Sequence, residues 1–205
     1  MSPAKFIPVA EKLSRFNDLS STLLQKSCRF MTKSTATKGM LLSVNVAANE
    51  IAHEDFFFSF IETIKLSGFA LNQVQVEITE TSLIENFECA KLNIEQLKRS
   101  GIRIALDDFG AGFSSLTYLN KLALNTIKLD KSLTHNLDNE KNRIIVRSII
   151  EMAHKLDITV VPEGVEEVEQ VTCLKDLACD LVQGFYYAKP MSERDFSELP
   201  GYLVN

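Results

Sequence analysis

Paired cysteines, a basic stripe, low-complexity repeats and long apolar runs are all missing from this sequence. Each absence removes a class of protein. The four cysteines, Cys28, Cys89, Cys173 and Cys179, are scattered with no C-x-x-C pair. They read as reduced, mostly buried thiols of a cytosolic protein. Eight glycines and five prolines among 205 residues exclude a collagenous or low-complexity chain, and 45% hydrophobic residues exclude disorder. No apolar run approaches the roughly 18 residues of a membrane span. Met1–Glu11 is mixed polar with no signal-peptide core, which points to a cytoplasmic location. Lysine and arginine number 22 against 27 aspartates and glutamates, a net charge of −5. That balance leaves no basic stripe for a nucleic-acid duplex. An acidic protein that handles an anionic substrate needs metal ions to offset the repulsion. His53, His135 and His154 fall in helical or loop stretches where the sequence supplies no partner, so none is taken as catalytic.

What is present is alternation. Six short segments read as strands: Met40–Val46, Val74–Thr79, Ile102–Asp107, Thr126–Asp130, Ile158–Glu163 and Asp180–Gly184. Amphipathic stretches such as Phe87–Arg99 and Asn142–Leu156 lie between them with apolar residues at helical spacing. Strand–helix alternation of this kind predicts βαβ units and a parallel sheet, either doubly wound or closed as a (β/α)8 barrel. Strand parity favours the barrel. Val74, Val76 and Ile78 share one face, and Gln75, Glu77 and Thr79 the other. Ile102–Asp107 divides in the same way, as do Leu42–Val46 and Thr126–Asp130. A barrel puts helices on the apolar face and its site at the C-terminal rim of the polar one, whereas a doubly wound sheet is apolar on both faces.

The polar-face residues near the strand ends are Asn45, Glu77, Asp107, Lys128, Glu163 and Gln183. Oxygen ligands of this kind, without His or Cys, suit Mg2+ or Mn2+, or Ca2+, and argue against zinc. Asp108 follows Asp107, and two carboxylates leaving one strand end can bridge two metals about 3.5–4 Å apart, as in phosphoester hydrolysis. Lys128 can hold a nucleophilic water or stabilise charge on a phosphoryl oxygen. The plainer alternative is that these residues cap strands and pair with one another. The segment Phe109-Gly110-Ala111-Gly112-Phe113-Ser114-Ser115 reads as a tight loop able to approach a phosphate or gate the site. Glu80 either anchors that loop or sits as an acid at a helix N-terminus.

The segments Val44-Asn45-Val46, Glu77-Ile78-Thr79-Glu80, Asp107-Asp108-Phe109-Gly110-Ala111-Gly112, Lys128-Leu129-Asp130, Glu163-Gly164-Val165-Glu166 and Gln183-Gly184 resemble, in that order, the motifs of EAL domains, the bacterial cyclic-di-GMP phosphodiesterases. Ser2-Pro3-Ala4-Lys5-Phe6-Ile7-Pro8 is similar to the family segment after its second strand. The resemblance spans essentially the whole chain. It implies a (β/α)8 barrel and metal-dependent hydrolysis of cyclic-di-GMP to pGpG. It implies metal ligation by Asn45, Glu77, Asp107, Asp108 and Glu163, with Mg2+ or Mn2+ in a two-metal site. Catalytic roles fall to Lys128, Glu163 and Gln183, with Lys128 and Gln183 positioning water. Glu80 anchors the site loop containing Phe109, Gly110, Gly112 and Ser114, which is also associated with dimerisation.

The departures are specific. The Glu-Ala-Leu signature is absent; in the family its glutamate is a metal ligand, and an arginine shortly after it contacts phosphate. Pro162 stands where the family usually has alanine, and is expected to distort the strand presenting Glu163. Ala123 stands where the family usually has proline. A typical barrel of about 250 residues suggests a single domain short of its first two strands, an incomplete (β/α)8 barrel with about six of eight. Open edges at Met40–Val46 and Asp180–Gly184 are then expected, hidden by homodimerisation, by rearrangement or by a complementing N-terminal segment. Two functions follow: a phosphodiesterase weakened in this chain alone, or a non-catalytic module that binds cyclic-di-GMP or a protein partner as a regulator.

Overall fold

The computed structural model describes residues 16–79, 87–111 and 116–198. Five strands, β1 (Leu42–Asn45), β2 (Val74–Thr79), β3 (Arg103–Phe109), β4 (Thr126–Leu129) and β5 (Thr159–Pro162), form one parallel sheet in sequence order. Parallel neighbours in unbroken order are the topology of a barrel wall, here open rather than closed. The parity reading holds. Val74, Val76, Ile78, Ile104, Leu106 and Ile127 are all 0% exposed on the helix-covered face. The opposite face is polar, and its side chains bond across strands: Thr126 donates to Gln75 Oε1 at 3.0 Å, and Gln75 Nε2 donates to Ser43 Oγ at 3.1 Å. This chain of bonds lets polar side chains lie buried without the penalty of unmet hydrogen bonds.

The expected sixth strand is corrected. Asp180–Gly184 is irregular, and the outer edge of β5 explains why. Along that edge the Val160 N–H is taken by the Asp180 carboxylate at 2.9 Å, and Pro162 has no N–H to give. Only acceptors remain: Val160 O takes the Leu181 N–H at 3.4 Å, and Pro162 O takes the Gln183 N–H at 2.9 Å. A strand cannot form a full ladder against an edge with no free donor, so the segment runs alongside β5 without one. Nor does Pro162 distort β5: it stays in register with Leu129, because the N–H it lacks faces outward. Of the two expected open edges, this one is blunted.

The other edge has no strand beside it among the described residues: β1 pairs with β2 alone. Beside it, helix α1 (Phe16–Lys33), helix α2 (Ala48–Ile51) and helix α3 (Phe56–Ser67) border a groove of about 450 Å³ whose lining includes Ser20, Leu24, Ser43, Asn45, Phe56 and Phe60.

Further helices cover the apolar face where their sequences allow. Helix α4 (Phe87–Arg99) has the bounds its spacing predicts, and buries Ala90, Ile94 and Leu97 at helical period. Its buried Asn93 is tolerated because Nδ2 donates to Ile51 O and His53 O, both at 2.9 Å. Helix α5 spans Leu116–Lys121, and the short helix α6 Lys131–Thr134. Helix α7 (Glu140–Lys155) starts two residues before its predicted bound, because the Asn139 side chain accepts the Lys141 N–H at 2.9 Å and caps it there. It buries Val146, Ile150 and Ala153. Helix α8 (Val168–Asp176) and helix α9 (Glu193–Ser197) follow β5.

Candidate functional site

The C-terminal ends of β2, β3, β4 and β5 converge on one ammonium group. Lys128 Nζ lies 2.6 Å from Glu77 Oε2, 2.7 Å from Glu163 Oε1 and 3.2 Å from Asp107 Oδ1. Glu77 and Lys128 are 5% and 4% exposed. Burial alone pulls the lysine toward its neutral form. The hydrogen bonds to Glu163 and Glu77, with the charges of Glu77 and Asp107, outweigh it and hold the pKa above the ordinary lysine value. Lys128 is therefore a fixed cation, not a nucleophilic amine.

One ammonium does not balance the acids around it. Asp107, Asp108 and Glu163 each place a carboxylate oxygen within 4.8 Å of the others, and Glu77 adds a fourth carboxylate. Burial, with the charges of Asp107 and Glu77, pushes Glu163 above its usual value against the pull of Lys128. Burial and the Asp107 and Asp130 charges push Asp108 up likewise. An under-neutralised cluster of carboxylate oxygens is suited to a hard divalent cation. The donor set fits Mg2+, Mn2+ or Ca2+ and offers zinc no nitrogen or sulfur.

A bulge presents the two adjacent aspartates. The β3–β4 register shifts between Leu106, paired with Ile127, and Phe109, paired with Leu129. Asp107 and Asp108 together face Lys128 across this shift, two residues against one. Asp108 takes a positive φ of 55°, a conformation that aspartate tolerates better than most residues. Its N–H donates to Asp107 Oδ1 at 3.0 Å. The turn that follows needs Gly110: its φ is 95°, and a Cβ there would lie 2.5 Å from Leu133 Cδ1. Phe109 is buried beneath it.

Glu77, Asp107, Asp108, Lys128 and Glu163 thus come together as the sequence predicts. Asn45 and Gln183 do not join them. Both are exposed, one on the open β1 edge and one past β5, and no hydrogen bond links either side chain to the cluster among the described residues. Gln183 acts here through its backbone, with its carbonyl accepting the Val165 N–H at 3.1 Å. Glu80, Gly112 and Ser114 lie outside the described residues.

Sequence reading missed two histidine partners. His154 Nε2 lies 3.0 Å from Asp180 Oδ2, the carboxylate that caps β5, and His135 Nε2 lies 3.0 Å from Gly164 O. Neither pair is close in sequence. Gly184, which the sequence gives only as part of the Gln183-Gly184 motif, has a packing role: a Cβ there would sit 2.0 Å from Val165 O.

The EAL domain family model matches residues 1–190. The chain belongs to the EAL domain family. A relative in Escherichia coli, PdeI, a probable cyclic di-GMP phosphodiesterase, is 34% identical over 93% of this EAL chain and 25% of its own length. The PaMucR phosphodiesterase, solved as a c-di-GMP complex, superposes with a TM-score of 0.86 at 28% identity, covering 95% of this chain and 80% of that one. Klebsiella pneumoniae BlrP1, solved with manganese and cyclic di-GMP, gives a TM-score of 0.79 at 27% identity, covering 86% of this chain and 45% of that one. The EAL chain spans about a quarter to a third of the length of the curated relatives it matches. No described helix is long and apolar enough to cross a membrane.

Proposed function

We propose that this EAL chain carries the divalent-cation centre of a cyclic-di-GMP phosphodiesterase, which opens the cyclic dinucleotide to pGpG. The observation behind this reading is the under-neutralised carboxylate cluster at the strand ends, held around Lys128. Asp107, Asp108 and Glu163 would hold the metal, with Glu77 behind them and Asn45 at the flank; Mg2+ or Mn2+ suits these oxygens best. When bound, a divalent ion supplies positive charge against the phosphodiester and acidifies water.

The chain's own residues do the rest. Lys128 aligns Glu77, Asp107 and Glu163 through its three ion pairs, and adds a fixed positive charge beside a phosphate that this acidic protein would otherwise repel. Gln183, on the rim past β5, is assigned the positioning of water, and the segment with Phe109, Gly110, Gly112 and Ser114 the role of site loop, with Glu80 as its anchor. Residues 1–205 are read as one EAL domain working in the cytoplasm. The open β1 edge is where a second copy or a complementing N-terminal segment would cover it. A second reading, favoured by the exposed positions of Asn45 and Gln183 outside the carboxylate cluster, is a module that binds cyclic-di-GMP without cleaving it.

Incubation with cyclic-di-GMP and Mn2+, followed by chromatography, separates the two. Formation of pGpG that Asp107→Ala abolishes supports the enzyme. Saturable binding with no pGpG supports the module, and neither binding nor product contradicts both.

A further inference from the structure

Glu163 is aimed from the start of a glycine turn. It stands one residue past the end of β5, its N–H bonded to Leu129 O at 3.0 Å. The chain then turns sharply through Gly164, whose φ is 68°. Glycine permits many backbone conformations, so nothing intrinsic to Gly164 keeps its peptide in one orientation. Two external holds do so. On the far side, the Val165 N–H is bonded to Gln183 O at 3.1 Å. On the near side, the Gly164 carbonyl faces His135 Nε2 at 3.0 Å. A carbonyl can only accept, so Nε2 carries the proton.

His135 is itself tied to the lysine that Glu163 meets. Lys128 is the penultimate residue of β4, and Asp130 caps α6 by accepting the Ser132 N–H at 2.9 Å. His135 closes that helix with its own N–H on Lys131 O at 2.8 Å. The connections run as a ring: Lys128 along the chain to α6 and His135, across to Gly164, back one residue to Glu163, and across 2.7 Å to Lys128 again. The fit is close, since a Cβ on Gly164 would lie 2.7 Å from Lys131 Cβ and 3.1 Å from His135 Nε2.

We propose that His135 is a positioning residue, which fixes the Gly164 carbonyl and so holds the Glu163 carboxylate in the cation cluster. This rests on the cation-centre reading above and adds a residue that never touches the metal or the substrate. A residue bonded directly to a metal ligand changes metal affinity by about 10–100-fold when removed. His135 acts one residue further out, through the Gly164 carbonyl, which places it at the lower end. An exposed side chain with a merely structural role does not change the affinity at all.

The test is an electron paramagnetic resonance titration of Mn2+ into the 205-residue chain, with thermal unfolding of every variant recorded alongside. His135→Ala is expected to weaken Mn2+ binding about 10-fold with the fold intact. His135→Gln, whose Nε2 can donate to the same carbonyl, is expected to recover most of that loss. Wild-type Mn2+ affinity in His135→Ala overturns the proposal, and so does a His135→Gln variant as weak as the alanine one. A wild-type chain that binds no Mn2+ instead removes the cation-centre reading, and this proposal with it.

Discussion

The two flanks of the sheet obey the same strand-end pattern and reach opposite outcomes. At the β4–β5 flank, Lys128 and Glu163 are locked in ion pairs, Asp180 covers the last N–H of β5, and Gly184 lies against Val165. At the β1 flank, Asn45 has the same parity as Glu77 and pairs with it in register, yet it is exposed beside an open groove. The difference is what lies along the outer edge. Both β1 and β5 end the sheet, but Asp180, Leu181 and Gln183 bond along β5 and Glu163 reaches Lys128, whereas among the described residues no strand pairs with the outer edge of β1. A strand-end carboxylate is held at the rim where a neighbour supplies the opposite charge.

The contrast predicts a graded series. Lys128→Met should be the most damaging change, because it leaves Glu77 and Asp107 buried beside one another without a cation. Breaking such a pair costs about 3–5 kcal/mol, a fall of roughly 10 °C in the unfolding midpoint of a chain this long. Added Mn2+ should recover part of the loss by replacing the missing charge, and a midpoint unchanged by the substitution would erase the distinction between the flanks. Gly184→Ala comes next. Its Cβ would meet backbone atoms at 2.0 and 2.3 Å, so the turn after β5 must shift, at about 1–3 kcal/mol, as denaturant unfolding would show.

On the open flank, Glu50 offers a pH test. Burial raises its pKa above the ordinary value of 4.5, against the hydrogen bonds from the Ala47 N–H and the Ser20 hydroxyl. The folded chain then holds this proton more tightly than the unfolded one, so the carboxyl costs stability as pH rises through the interval above 4.5. Glu50→Gln should unfold at a higher temperature than wild type at pH 7 and at the same temperature below pH 4.5; an equal gain at both pH values would count against burial as the cause. Asn45→Ala should be the mildest, within about 0.5 kcal/mol by the same unfolding measurements.

Much of this was legible in the sequence, for reasons that individual residues make plain. Period-two alternation in Val74–Thr79 identifies a half-polar strand, and Glu77, Asp107 and Lys128 inherit their common face from that period. Local patterns carry such information because a strand's faces are set by its own backbone. Asp180–Gly184 was misread because its apolar content says nothing about donors. Whether it pairs as a strand depends on Pro162 and on the Asp180 side chain at the edge opposite. His135 and Gly164 escaped for a related reason: 29 residues separate them, and only the closure of α6 onto the turn after β5 makes them partners. The β3 bulge was invisible too, although the Asp107-Asp108 pair it presents was not.

Isothermal titration of Mn2+ into the chain, beside the double variant Asp107→Asn/Asp108→Asn, tests the carboxylate cluster most directly. Saturable binding by the wild type that the double variant weakens by at least about 10-fold is the expected result. Equal binding by the two proteins, or none by the wild type, would contradict a cation centre at these strand ends.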